Sequence, residues 1–188
     1  MKKLMVFIIA LISVFSAYAQ NSSGHMTFKG IPIDGSLADF TVKMKQKGFS
    51  YVGTRDGVAM FSGEFASYKG CTVGVVSLQS TGVVKVAAIF PSCKTWSQLY
   101  DTYSFLKGML IQKYGEPAQN MEIFQGVEPD DDSAKIYEVE FDRCRYISQW
   151  ETAKGSIELK IDHAETSSCF VTLTYWDKIN TEKAIDDL

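Results

Sequence analysis

The chain has 188 residues, with 19 Lys and Arg against 22 Asp and Glu, two histidines and four cysteines. A mildly acidic balance argues against nucleic acid as a partner, because phosphates need clustered Lys and Arg. It argues equally against an anionic membrane surface.

Residues 1–19 carry the signature of a secretory signal peptide. Lys2 and Lys3 supply the positive start, Leu4 to Phe15 the apolar run, and Ala17-Tyr18-Ala19 the small residues a signal peptidase reads. The run is shorter than the ~20 residues a membrane span needs, and the polar stretch Gln20 to Gly24 follows it. Cleavage is therefore expected, with a mature chain from Gln20, no integral membrane span, and a periplasmic or secreted location. Losing two of the 19 basic residues leaves 17 against 22 acids, so the mature protein is more acidic than the whole chain. Residues 20–27 read as a linker.

A first unit is expected over residues 28–93. Phe28 to Ile33 is extended, since Pro32 disfavours helix before it, and Asp34-Gly35 turns the chain. Ser36 and Asp39 have capping-box spacing, and Leu37, Phe40 and Met44 share a helical face. Gly48 ends that helix, with Phe49 placed to pack back on Met44. Strands follow at Phe49–Val52, Val58–Phe65, Cys71–Leu78 and Val83–Phe90. Asp56-Gly57, Lys69-Gly70 and Ser80-Thr81-Gly82 supply the turns.

The second unit, residues 94–188, opens with a longer helix. Thr95 and Gln98 form its capping box, and Trp96, Leu99, Tyr103, Leu106, Leu110 and Tyr114 its apolar stripe. Gly115 and Pro117 stop it. Strands are expected at Met121–Gln125, Ile136–Asp142, Cys144–Thr152, Ser156–His163 and Cys169–Trp176. In the second of these, Tyr137, Val139 and Phe141 alternate with acids. The parity changes at Arg143, which marks a tight turn or bulge. A short tail helix from Asn180 would use Ile185 and Leu188.

Helix followed by strands thus occurs twice. Cys71 and Gly82 recur, 73 residues on, as Cys144 and Gly155. These features predict an α+β fold built of tandem helix plus four-stranded antiparallel sheet units.

In an exported chain, four cysteines suggest disulfides with three possible connectivities. The repeat favours Cys71–Cys93 and Cys144–Cys169. The first is easy if Cys71 lies opposite Phe90. The second is awkward, because Cys144 and Cys169 both neighbour His163 on opposite sides of its strand, at ~10 Å, whereas a disulfide needs Cα atoms within ~7 Å. A Cys144–His163–Cys169 metal site is the chemical alternative, but a structural zinc site wants a fourth ligand.

The acidic run Glu128 to Ser133 lacks the alternating ligands and glycine of a calcium loop and reads as a solvated loop. His25 lies in the flexible amino-terminal segment, and His163 has Asp162 beside it but on the other strand face. No nucleophile stands in a recognisable motif, and no cofactor or metal motif is present. Among the aromatics, Tyr100 and Trp176 depart from the apolar stripe or face and are the candidate binding surface.

Phe28-Lys29-Gly30-Ile31-Pro32-Ile33-Asp34-Gly35, the helix ending Lys113-Tyr114-Gly115-Glu116-Pro117 and the four cysteines resemble small uncharacterised exported proteins of Bacteroidota. That likeness carries no activity. The expected layout also resembles the β-lactamase inhibitor protein fold, in which tandem units of helix and four-stranded sheet each hold a disulfide. No inhibitory residue can be matched, so this likeness is of layout alone.

The expected function is an exported, disulfide-stapled, non-enzymatic binding module for a protein of the envelope or beyond the cell. The alternatives are a small-ligand or glycan carrier, which would need a cleft, and an unrecognised hydrolase, which would need close carboxylates.

Overall fold

The computed structural model describes residues 24–164 and 168–186. The expected signal peptide at residues 1–19 lies outside the described residues, as does Leu188 of the tail helix. A small hairpin, β1 (Thr27–Phe28) and β2 (Ile31–Pro32), leads into α1 (Leu37–Gln46). Four strands follow: β3 (Ser50–Arg55), β4 (Val58–Phe65), β5 (Tyr68–Leu78) and β6 (Gly82–Ile89). Then come α2 (Trp96–Tyr114), β7 (Gln119–Phe124) and α3 (Asp132–Glu140). The chain continues through β8 (Cys144–Thr152), β9 (Gly155–Ala164), β10 (Ser168–Asp177) and α4 (Lys178–Asp186).

The fold is α+β. Apart from the β1–β2 hairpin, the strands form one eight-stranded antiparallel sheet in the order β3-β4-β5-β6-β10-β9-β8-β7. Two runs of sequence-consecutive strands therefore meet at β6 and β10, where Leu173 pairs with Ala88 and Trp176 with Lys85.

Local sequence explains the elements. Ser36 caps α1 by accepting from the Asp39 N–H at 3.1 Å, while its hydroxyl donates to the Asp39 carboxylate. The box is therefore one-sided: the carboxylate takes the Ser36 hydroxyl rather than reaching back to a backbone N–H. At the far end the N–H of Phe49 reaches the Met44 carbonyl and that of Gly48 the Lys45 carbonyl, a complete Schellman ending. Thr95 caps α2 by accepting from the Gln98 N–H at 3.3 Å, the same half of a capping box.

Four expectations fail for identifiable reasons. Ile136–Asp142 is not a strand but most of α3. Asp131 caps that helix by accepting from the Ala134 N–H at 2.9 Å, and Asp132 sits in its first turn, where acids suit the helix dipole. The apparent alternation is a helical i,i+4 pair, Tyr137 and Phe141, lying exposed with ring centroids 4.3 Å apart, while Val139 is buried. The solvated loop expected at Glu128 to Ser133 is thus in part a helix start. The turn expected at Lys69-Gly70 lies instead at Ala66-Ser67, whose φ values of 48° and 69° put two non-glycine residues in the left-handed region. Finally, Ile185 of the tail helix is exposed, and the residue α4 buries is Asn180.

The 73-residue offset also joins unlike places in the sheet. It pairs β5 with β8 and β6 with β9, yet β5 and β6 stand third and fourth from one edge while β8 and β9 stand second and third from the other. The two glycines recur for separate steric reasons. A Cβ on Gly82 would lie 2.3 Å from the Gly35 carbonyl oxygen, and one on Gly155 would lie 1.9 Å from that of Trp176.

One face of the sheet carries the core. Phe61, Val73, Val75, Val86, Ala88, Ile157, Leu159, Val171 and Leu173 point to it and pack with Phe40 and Met44 of α1, Leu99, Tyr103 and Leu106 of α2, and Val139 of α3. The Trp150 indole N–H donates to the Gly115 carbonyl at 2.8 Å, tying the end of α2 to β8. No helix among the described residues is long and apolar enough to cross a membrane.

Candidate functional site: the uncovered face of the sheet

Strand residues alternate between faces, so the partners of the core residues point the other way. Register lines them up across the sheet. Val58, Val76, Lys85, Trp176, Ser156 and Glu151 make one row, and Ser62, Thr72, Ile89, Thr172, Lys160, Ile147 and Met121 make another. Both rows mix apolar side chains with polar ones on a surface that α1, α2 and α3 do not cover. Trp176 lies half-buried in this face, with the Lys85 ammonium 5.0 Å from its ring centroid. Such a cation over an indole leaves a flat aromatic surface beside a positive charge.

Two shallow grooves mark this face. One, of about 480 Å³, runs from Gln149 and Glu158 past Trp176 to Thr181 and Glu182 of α4, which forms its wall. The Gln149 amide donates to Glu158 across the strands at 2.7 Å. The other, of about 360 Å³, lies by the β7 edge between Met121, Arg145 and Ile147.

The sheet separates the two candidate aromatics. Tyr100 sits on α2, above the covered face, stacked on Trp96 at 5.9 Å and edge-on to Tyr146 at 6.0 Å. Trp176 and Tyr100 therefore do not form one patch. The sequence missed the companions of Trp176 on its own face, such as Ile89, Ile147 and Met121. Their signal was apolar residues at the parity that a half-buried strand fills with polar ones.

None of the four cysteines is bridged in the structure. Cys71 is buried, with its thiol 3.3 Å from the Tyr68 carbonyl. Cys169 pairs with His163 of β9, and the β8–β9 register carries Cys144 to the other side of the same residue. With β9 between them, the Cys144–Cys169 pair favoured by the repeat stands two strand spacings apart, ~10 Å. Cys169 instead pairs by backbone with Cys93, whose N–H donates to its carbonyl at 2.8 Å. Burial pushes the Cys169 thiol up to about 11 and the Cys144 thiol up to about 12, so both resist forming the reactive thiolate. Among the described residues no group of three or more His, Cys, Asp and Glu side chains is placed to hold a metal ion.

His25 is not in a loose tail. Its Nδ1 lies 2.9 Å from the fully buried Asp177 carboxylate and its Nε2 lies 3.4 Å from that of Asp34. Asp177 also accepts from the backbone N–H groups of Met26 and Asn180, fastening the start of the described chain to α4. Burial raises Asp34, but hydrogen bonds from the Gly35 backbone and Asn180, with His25 close by, hold its carboxyl below its ordinary value. With both ring nitrogens engaged by carboxylates, His25 is committed to anchoring rather than presented as a base. A second polar cluster joins Tyr103, Ser148, Asn120, Lys107 and Glu122 under α2. Ser148 within it is completely buried, and burial drives the Tyr103 hydroxyl well above its ordinary value. This network satisfies buried polar groups and exposes no nucleophile. No family model, curated protein or solved structure matches this chain.

Proposed function

We propose that this is an exported, non-enzymatic module that binds a protein partner of the envelope or the extracellular space through the uncovered face of its sheet. The observation that carries the reading is that face: eight strands wide, with Trp176, Ile89, Ile147 and Met121 among mixed charges and no helix of the core layer over it. An aromatic anchor among apolar and charged neighbours is how protein interfaces concentrate their energy. The strand order also supports the finer architecture, a helix and four strands used twice and joined at β6 and β10, with α3 inserted in the second unit. The disulfide staples of that reading are a separate proposal, tested by mapping the cysteine peptides of the secreted protein without reduction.

The test uses the exported protein and a variant carrying Trp176→Ala and Ile89→Lys. The partner retained by the natural face should lose at least tenfold in affinity for the variant when both are purified. Tyr100→Ala, on the other side, should bind unchanged. Equal affinity of the face variant and the natural protein would overturn the reading, as would the absence of any specifically retained protein.

A further inference from the structure

An apolar cleft of about 230 Å³ opens on the covered side of the molecule, between the β1–β2 hairpin, the β4–β5 turn and the second half of α2. Phe65, Leu106, Leu110 and Tyr114 wall it, and Leu173 and Tyr175 of β10 floor it. Three features point to a ligand.

The first is the floor. Tyr175 is only 6 % exposed, and a buried phenol ordinarily finds a hydrogen-bond partner. Its hydroxyl has none among the described residues, yet it is not one of the fully enclosed unpaired atoms, which are Thr81 Oγ1 and Asn180 Oδ1. Tyr175 lines the cleft beside Tyr114, whose phenol acts on its own, so the cleft is the space in which that hydroxyl can meet a partner. Burial holds that hydroxyl far above its ordinary value, which keeps it protonated as a donor.

The second is the rim. Lys29 and Lys113 stand exposed at the mouth, and no acidic side chain lines the cleft. Neither ammonium is paired with a carboxylate among the described residues. Lys29 donates to the Glu64 carbonyl at 2.9 Å and lies over Phe49, and Lys113 lies over Tyr114. Two uncompensated cations on one apolar mouth, in an acidic protein, favour an anion.

The third is size. The volume falls below the ~300 Å³ at which drug-sized pockets begin, and three aromatic rings line it. That suits a single ring.

We propose that the cleft binds a small aryl carboxylic acid bearing a ring oxygen. The carboxylate lies at Lys29 and Lys113, the ring lies between α2 and Leu173, and the ring oxygen receives the Tyr175 hydroxyl hydrogen. The site is separated by the sheet from the surface assigned to the protein partner and stands or falls independently of it.

Calorimetric titration of the purified protein with 3-(4-hydroxyphenyl)propionate tests this, alongside 3-phenylpropionate and the 4-hydroxyphenylpropionamide. The hydroxy acid should bind saturably at one site, at least tenfold tighter than either analogue. Lys29→Gln with Lys113→Gln should erase the preference for acid over amide, and Tyr175→Phe the preference for the hydroxylated ring. Trp176→Ala should bind the acid normally. Absence of saturable binding at millimolar acid would overturn the proposal, as would variants that bind all three probes like the natural protein.

Discussion

The two faces of the sheet are made from the same strands and differ in what covers them. On the covered face, Phe61, Val75, Ile157 and Leu159 are fully buried under three helices. On the other, their immediate neighbours along the strands are a mixture of apolar and charged side chains, with Trp176 and Lys85 at the centre. Folding thus consumes one face and leaves the second chemically furnished. A sheet face that only met water would be expected to alternate cleanly to polar residues, and β8 and β10 instead place Ile147, Phe170 and Trp176 there.

The contrast is sharpest in stability. Trp150, fully buried on the covered side, should cost about 4 kcal/mol when cut to alanine, within the usual range for a large aromatic. Trp176→Ala should cost less, about 2 kcal/mol, because that side chain is only partly buried and lies outside the core. Urea unfolding of both variants measures the difference; equal losses would mean that the second face is core as well. Asp177→Ala comes next, at about 3 kcal/mol, because it strips a buried carboxylate from His25, the Met26 N–H and the cap of α4. Amide exchange should show residues 25–28 losing protection first.

The covered face carries a pH dependence. The Cys169 thiol is raised from an ordinary value of 9.0 to about 11 by burial. Its contribution is intact below pH 9 and is lost as pH rises through 11, since the unfolded chain releases that proton earlier. Stability should therefore fall over this window, and Cys169→Ala should fall less steeply than the natural protein. Smallest of all, Met121→Lys on the β7 rim of the uncovered face should change stability by less than about 0.5 kcal/mol, while weakening partner binding.

Much of the covered face was legible in the sequence, because burial leaves a period. The stripe of α2 and the alternations of β8, β9 and β10 fell where periodicity put them, and Gly48, Gly115 and Asp56-Gly57 marked real ends and turns. The misreadings share a cause. Tyr137, Val139 and Phe141 look like a strand because alternation and an i,i+4 pair coincide over five residues. The Asp131 cap that separates them was hidden inside an acidic run. Ala66-Ser67 carries no glycine, so a turn of left-handed residues there has no local signal, whereas Lys69-Gly70 offered a false one. His25 and Asp177 lie 152 positions apart, and nothing local announces their contact. The uncovered face left only a trace, apolar residues at the wrong parity, because α1, α2 and α3 pack on the opposite side and impose no period on it.

Whether the uncovered face binds the proposed partner is tested most directly by placing a photo-crosslinking residue at Ile89 and, separately, at Tyr100. We expect a discrete adduct with one protein from position 89, abolished by Trp176→Ala, and none from position 100. Adducts from position 100 alone, or no discrete adduct from position 89, would contradict it.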